Sequence, residues 1–315
     1  MKTSTSKRLR WNIAIWLAAG LFMTSAAGMA AGPIMPDPKA EARHQPQVEE
    51  TANGIPLVNI TAPSSGGVSR NEYETFNVPD KGAILNNSYT LSKTELAGYV
   101  QGNNNMAERP AKIIVNEVTG AGSTSMDGFL EVAGNRADVV IANPNGITVN
   151  GGGFINTGKA FLTTGKPVYD GEDHLQRFDI TGGDILIEGK GLGGKETGSL
   201  AILSRAVKIN AGIWAKDLHI TTGANTVDAK TLEASAIEGK GERPAFALDT
   251  AAIGGMYAGR ITLVGTEKGL GVNNSGTWSA EDNLTLDWNG DLKNSGTIYS
   301  KGNADLRASR LENDK

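Results

Sequence analysis

The sequence predicts an all-β solenoid, a stack of coils each made of about three short strands, on three observations. Glycine accounts for 41 of 315 residues and sits mostly beside Asn, Ser, Thr or Asp, punctuating the chain with turns every few residues. Between the turns lie short apolar runs such as GAIL, AKIIVNEV, FLEVAG, GDILIEG and RITLVG. Their stiff β-branched side chains suit a pleated surface. Near the C-terminal end, NSGTWSAEDNLTL (274–286) aligns with NSGTIYSKGNADL (294–306) at a spacing of 20 residues. That alignment sets Trp278 against Ile298, Asn283 against Asn303 and Leu286 against Leu306, with looser echoes in GIWAKDLHI (212–220) and GMYAGRITL (255–263). Asn274 and Asn294 are expected to stack as a hydrogen-bonded ladder. If every residue joined a coil, roughly a dozen coils would form at the strand spacing of about 4.8 Å.

Each part of the chain follows in order. Lys2, Lys7, Arg8 and Arg10 precede an apolar run, WNIAIWLAAGLFM (11–23), and small residues. This reads as a secretory signal peptide over 1–30, handled by the Sec machinery. Residues 31–54 are rich in Pro, Glu and Gln and read as an extended leader. Strand and turn texture then continues, with one or two helical turns expected near LSKTELAGYV (91–100). In ADVVIANPNGITVNGGGFIN (137–156), the β-branched runs before and after Asn143, Pro144, Asn145 and Gly146 predict strand, tight turn, strand. The composition does not change before the end, so 273–315 reads as the start of a repetitive, truncated array whose last coil lacks a cap.

Several functions are excluded or disfavoured. Removing the four signal-peptide cations leaves 26 basic and 34 acidic residues, a net charge of −8 with no basic block, which argues against a nucleic-acid partner. There is no cysteine, hence no disulfide, thiolate metal site or thiol nucleophile. His44, His174 and His219 are scattered, so neither metal nor cofactor is expected. GKGLGG (189–194) and GFINTGKA (153–160) mimic nucleotide loops but lack a following helix and read as coil corners. Trp214, Tyr257, Trp278 and Tyr299 recur near corners and favour packing between coils over a sugar-binding stripe. A β-helical polysaccharide lyase would need acidic clusters recurring on one face; positions 20 apart carry Asn, Gly and Thr instead. No catalytic residue is assigned.

The blocks IPLVNITAPSSGGVSRNEYETFNV (55–78), IIVNEV, ADVVIANPNGITVNGGGFINTGKAFLTTGKP and IGGMYAGRITLVGTEKGLGV (253–272) resemble, in order and spacing, the N-terminal secretion domain of filamentous-haemagglutinin-type exoproteins. These are the passengers of bacterial two-partner secretion. The resemblance implies a right-handed parallel β-helix with an N-terminal β cap and small extra-helical β elements, the secretion domain spanning 55–272. It implies one partner, a cognate outer-membrane β-barrel transporter with periplasmic domains, and a route across both membranes of a Gram-negative bacterium to the surface. There the domain would nucleate folding of a large adhesin, with a contact-dependent inhibition toxin or a haemolysin as alternatives. Downstream repeats would meet host or bacterial surfaces. Two Asn-Pro motifs mark the family, and in this chain the first has Asn104 in place of Pro and Met106 in place of Leu. The second is intact as Asn143, Pro144, Asn145 and Gly146; the first, usually NPNL, falls at Asn103, Asn104, Asn105 and Met106. Turn chemistry alone explains the second motif, and contact with the transporter is the alternative reading.

Overall fold

Three ladders of parallel strands form the walls of a β-helix in the computed structural model, which describes residues 32–106 and 109–314. The predicted signal peptide lies outside the described residues. All that follows concerns one unit, Pro33–Lys315. Its coils wind through three faces in turn, in the right-handed sense that parallel crossovers take.

The first face is a sheet of eight parallel strands running from Thr124–Met126 to Arg310–Asn313. The second begins at Ala83–Asn87 and continues through Phe129–Gly134, Gly152–Ile155 and Leu192–Gly194. The third begins at Val68–Phe76 and continues through Ile113–Val118, Ala137–Ala142, Thr157–Thr163 and Ser199–Ser204. Two 11-residue strands, Gly212–Thr222 and Gly255–Gly265, bend from the second face into the third without a break. Eight rungs on the first face fall short of the dozen coils expected. The cap and the excursions described below consume the other residues.

Alternation along each strand sends one set of side chains inward. Ile114, Val139, Leu162, Ile202, Ile220, Leu263 and Leu286 fill one continuous core with Ile147, Val207 and Val272 from the first face. Each contributes roughly 1.5–3 kcal/mol of burial before its ordering entropy. The 20-residue register is the one predicted: Trp278 pairs with Ile298 and Leu286 with Leu306. The asparagine ladder forms too. Asn274 Nδ2 donates to Asn294 Oδ1 at 2.8 Å, and Asn294 Nδ2 donates to Asn313 Oδ1 at 2.7 Å, extending the ladder one rung past the sequence repeat.

The aromatic residues divide between the two sides of the second face. Trp278 is fully buried inside the coil, whereas Trp214 and Tyr257 point outward and stack at 6.1 Å, and Tyr299 is exposed. The outward pair packs between coils as anticipated, and Trp278 does so from inside, between Met256 and Ile298.

The N-terminal segment read as a leader is extended and paired. Ile34–Pro36 runs antiparallel to Val68–Phe76, and Gln47–Glu50 antiparallel to Pro56–Asn59, which itself joins the second face in parallel. This antiparallel cap covers the first coil's edge, the point at which an open solenoid would recruit another strand.

Two excursions leave the coil, and each covers outward apolar residues. Ser92–Thr94 and Gly98–Val100 form a hairpin that packs Val100, Leu96 and Ala97 over Leu57, Ile84 and Ala133. The helical turns expected over 91–100 are therefore wrong. The turn is closed by Gly98 at φ 71, and Glu131 accepts the Glu95 and Leu96 N–H groups at 2.7 and 2.9 Å. Those two backbone donors are thus held to a carboxylate of the coil rather than to carbonyls of a helix. The second excursion is a four-stranded antiparallel sheet: Lys166–Tyr169, Leu175–Ile180, Asn225–Asp228 and Ala234–Ala236. It lays Phe178, Ile180 and Val227 over Val115, Val140, Phe161 and Ala201 of the third face.

His219 extends that outward column of the third face, next to Ala201 and Thr262. Burial pushes its pKa down to about 4, and its Nε2 lies 2.8 Å from Thr221 Oγ1. The unfolded chain therefore binds a proton between pH 6.5 and about 4 that the folded chain does not. Stability from this group is full above pH 6.5 and falls as the pH drops toward 4, by up to about 3 kcal/mol. Urea unfolding at a series of pH values should show this slope, and His219→Asn should remove it from that window.

Candidate functional site

The two asparagine motifs build the same corner twice. In the second, the Gly146 N–H donates to Asn143 O at 3.1 Å, closing a four-residue turn, and the Asn145 N–H donates to Asn143 Oδ1 at 2.9 Å. In the first, the Met106 N–H donates to Asn103 O at 3.1 Å, and the Asn105 N–H donates to Asn103 Oδ1 at 2.9 Å. An asparagine side chain that mimics a backbone turn in this way accounts for the residue at both first positions. Pro144 is replaced by Asn104 without loss of the turn, because the same asparagine side-chain bond closes both corners and proline's fixed φ only adds to it in the second.

Each motif also ties its coil to the one before. Asn143, with no exposed surface, donates through Nδ2 to Gly122 O at 2.9 Å and Thr124 Oγ1 at 3.0 Å. Asn145 reaches Gly120 O at 2.8 Å. Asn103, 2% exposed, donates to Ile60 O at 2.8 Å and Asn86 O at 3.0 Å, and Asn105 reaches Ile60 O at 3.1 Å. The fourth residues differ in task. Gly146 adopts φ 110, a conformation L side chains avoid, while Met106 is buried in the main core as a leucine there would be.

The corners are not brought together. The first lies between the second and third faces, just before Ile113–Val118. The second lies between the third and first faces, joining Ala137–Ala142 to Ile147–Val149. What both present to solvent is small: Asn104 in one, Pro144 and Asn145 in the other.

The other sequence candidates resolve into local structure. GKGLGG supplies a turn, with the Gly191 N–H on Glu188 O at 2.9 Å, and the strand Leu192–Gly194. GFINTGKA spans two strands that meet at Asn156, whose φ is 54. Neither leads into a helix; among the described residues the helical structure is the three-residue 3-10 turn Ala42–His44. The histidines sit apart, His44 on Glu72 at 3.0 Å and His174 on Asp170 at 2.9 Å.

Sequence reasoning missed a buried polar set that organises the first coils. Asn86 Nδ2 bonds Asn59 Oδ1 at 2.8 Å, and Asn87 holds both Ala111 and Asn135. Asn116 receives the Tyr73 hydroxyl at 3.0 Å and donates to Val140 O. Repeated Asn at strand ends was the available signal, but the separations are 27 and 43 residues and follow no fixed period. A second missed group is ionic. Arg70 contacts Glu72 at 2.8 Å and Glu117 at 3.4 Å and lies 4.5 Å from the Tyr169 ring centroid. Burial pushes the Glu117 carboxyl up, against the pull of Arg70. With Arg43 on Asp173 at 2.6 Å, this group fastens the cap to the antiparallel sheet.

The profile of the TPS secretion domain matches residues 33–298. The chain belongs to that family. The TPS domain is 42% identical over 293 residues to Toxin CdiA of Yersinia pestis, covering 86% of this chain and 9% of that protein. It is 48% identical over 229 residues to the 16S rRNA endonuclease CdiA of Enterobacter cloacae, covering 72% of this chain and 7% of that one. The chain thus spans less than a tenth of the length of these curated relatives. The crystal structure of the filamentous hemagglutinin secretion domain matches with a TM-score of 0.75 at 31% identity, covering 90% of this chain and all of that one. The haemagglutinin-type β-helix anticipated from the sequence is the fold of this TPS domain, and the match identifies a passenger-type secretion domain of a secreted or cell-surface protein of Gram-negative bacteria.

Proposed function

We propose that this domain is the export signal of a two-partner secretion passenger, read in the periplasm by a cognate outer-membrane β-barrel transporter and folding once outside the cell. The observation that carries the proposal is the pair of matching asparagine corners, which combine a coil-to-coil tie with a small exposed surface. The architecture suits vectorial emergence. Each coil bonds to its neighbours, so folding can propagate from the cap one coil at a time. With no cysteine, the chain can pass an oxidising compartment without a disulfide locking it before transit. The Sec pathway would bring it across the inner membrane.

The passenger served is a contact-dependent inhibition toxin rather than a haemagglutinin-like adhesin. Relatives above 40% identity are named toxins and nucleases, whereas the haemagglutinin domain is 31% identical. The nuclease activities named for those relatives are not assigned to the residues of this domain, which matches a secretion domain.

The double variant Pro144→Ala, Asn145→Ala tests the corner. Export through a co-expressed cognate transporter should fall about tenfold, equivalent to about 1.4 kcal/mol of recognition. The melting temperature should drop only slightly, since the exposed Asn145 bond to Gly120 contributes about 1 kcal/mol. Export at the normal level would leave the motif as a turn and nothing more.

A further inference from the structure

The outward side of the second face carries a small cavity between two aromatic rings. Phe129, Gly153, Gly193 and Trp214 stand on successive rungs, each paired with the next, in one outward column about 14 Å long at the usual strand spacing. The rings close its two ends, and the glycines leave the middle without side chains. A Cβ at Gly153 would collide with the Phe129 ring, and one at Gly212 with the Trp214 ring, so each ring lies against bare backbone. Gly193 differs. A Cβ there would make ordinary contacts, 3.7 Å from Gly152 O and 3.8 Å from Phe129 Cζ, so this position is an open floor rather than a seat for a ring. The cavity above it has a volume of about 300 Å³, enough for a small ligand, with Lys195 and Glu196 among its lining residues. Both are exposed, and neither side chain has a hydrogen-bond or ion-pair partner among the described residues. Glu196 also lines a larger groove of about 1080 Å³ beside the hairpin strand Ser92–Thr94.

Packing between coils accounts for Trp214 on Tyr257. It does not account for Phe129, which is 43% exposed and stacks on no other ring among the described residues. The negative face of an aromatic ring attracts C–H groups, while an unpaired ammonium and carboxylate beside it supply a donor and an acceptor. A pyranose ring offers both kinds of surface at once: C–H groups on its faces and hydroxyls around its edge. The two grooves together are lined by three cations, Lys93, Arg136 and Lys195, and three carboxylates, Glu95, Glu131 and Glu196, so they favour a ligand without net charge.

We infer that this cavity binds an uncharged oligosaccharide of flat, equatorially substituted hexopyranose units. One unit sits over Gly193 between Phe129 and Trp214, and the chain continues past Glu196 along the hairpin. The site exists only when the coils have stacked, so it belongs to the folded domain and does not rest on the export-signal reading.

The test uses the whole folded chain and isothermal titration calorimetry with two probes, cellohexaose and chitohexaose. Saturable binding of at least one is expected, with glucose binding at least about tenfold more weakly because it cannot reach the second groove. W214A and F129A should each weaken binding about tenfold. G193V fills the floor and should do the same with an unchanged melting temperature, and G193A should weaken binding less. Failure of both hexaoses to bind, or variants that bind like wild type, would overturn the inference and leave the export-signal reading as it stands. A heparin-derived hexasaccharide that binds more tightly than either probe, and loses affinity as salt is raised, would assign the cavity to an anion and overturn it too. So would sedimentation velocity showing a dimer that G193V abolishes, which would give the cavity to a second copy of the chain.

Discussion

Glu267→Ala should destabilise the domain by about 3–5 kcal/mol, because it strands a buried guanidinium. Arg205 is 6% exposed and sits outside the coil core, clasped by Glu267 in a two-point ion pair, Nε to Oε2 at 3.0 Å and Nη2 to Oε1 at 2.9 Å. Its Nη1 donates to Lys240 O at 2.7 Å, and Glu267 also accepts the Ala224 N–H at 3.0 Å. One ion pair thereby holds the start of the hairpin Asn225–Asp228 and Ala234–Ala236 and the loop that returns from it. Removing Glu267 leaves Arg205 charged with carbonyls alone. Glu267→Gln keeps a hydrogen-bond acceptor and should cost less. The hydrogen bond from Arg205 also lowers the Glu267 pKa, so the stability it provides is complete above the usual glutamate range and is lost as the pH falls through the depressed folded value. Chemical denaturation of the three proteins at neutral and acidic pH checks both points: the variants should differ from wild type at pH 7 and converge toward it in acid.

Trp278→Ala should cost a similar amount, about 3–5 kcal/mol, but in a different place. The indole is fully buried between Met256 and Ile298 of the flanking coils, and its Nε1 donates to Thr250 Oγ1 at 3.1 Å. Truncation leaves a cavity and removes the partner of a buried hydroxyl. In a stack stabilised by neighbour contacts, such a loss is felt locally before it is felt globally. Amide exchange should therefore quicken by orders of magnitude in the coils from Gly271 onward, while the strands Ile113–Val118 and Ala137–Ala142 keep wild-type protection. Uniform acceleration along the whole chain would show that the coils unfold as a single unit instead.

Much of the corner at Asn143–Gly146 is legible in the sequence. Asn143, Pro144 and Gly146 carry turn chemistry that is local by nature, and the flanking β-branched runs leave few alternatives to strand, corner, strand. The repeat from Asn274 gave the register of the last coils because stacking like on like places position i over position i+20. The segment 91–100 misled because Leu, Lys, Glu and Ala are all good helix formers, while the carboxylate of Glu131, 36 residues from Glu95, and the apolar face the hairpin covers lie far along the chain.

By itself the sequence determined what short-range physics controls: strands from β-branched runs, corners from asparagine and glycine, a stack from the repeat, and a family from the ordered blocks. Only the tertiary structure decided which outward faces are covered by the excursions, that the N-terminal segment pairs as a cap, and where Arg205 and Arg70 find their surroundings. The reason is distance along the chain. A turn is settled among four residues, whereas the Arg205–Glu267 pair spans 62 and exists only once the coils between them have stacked.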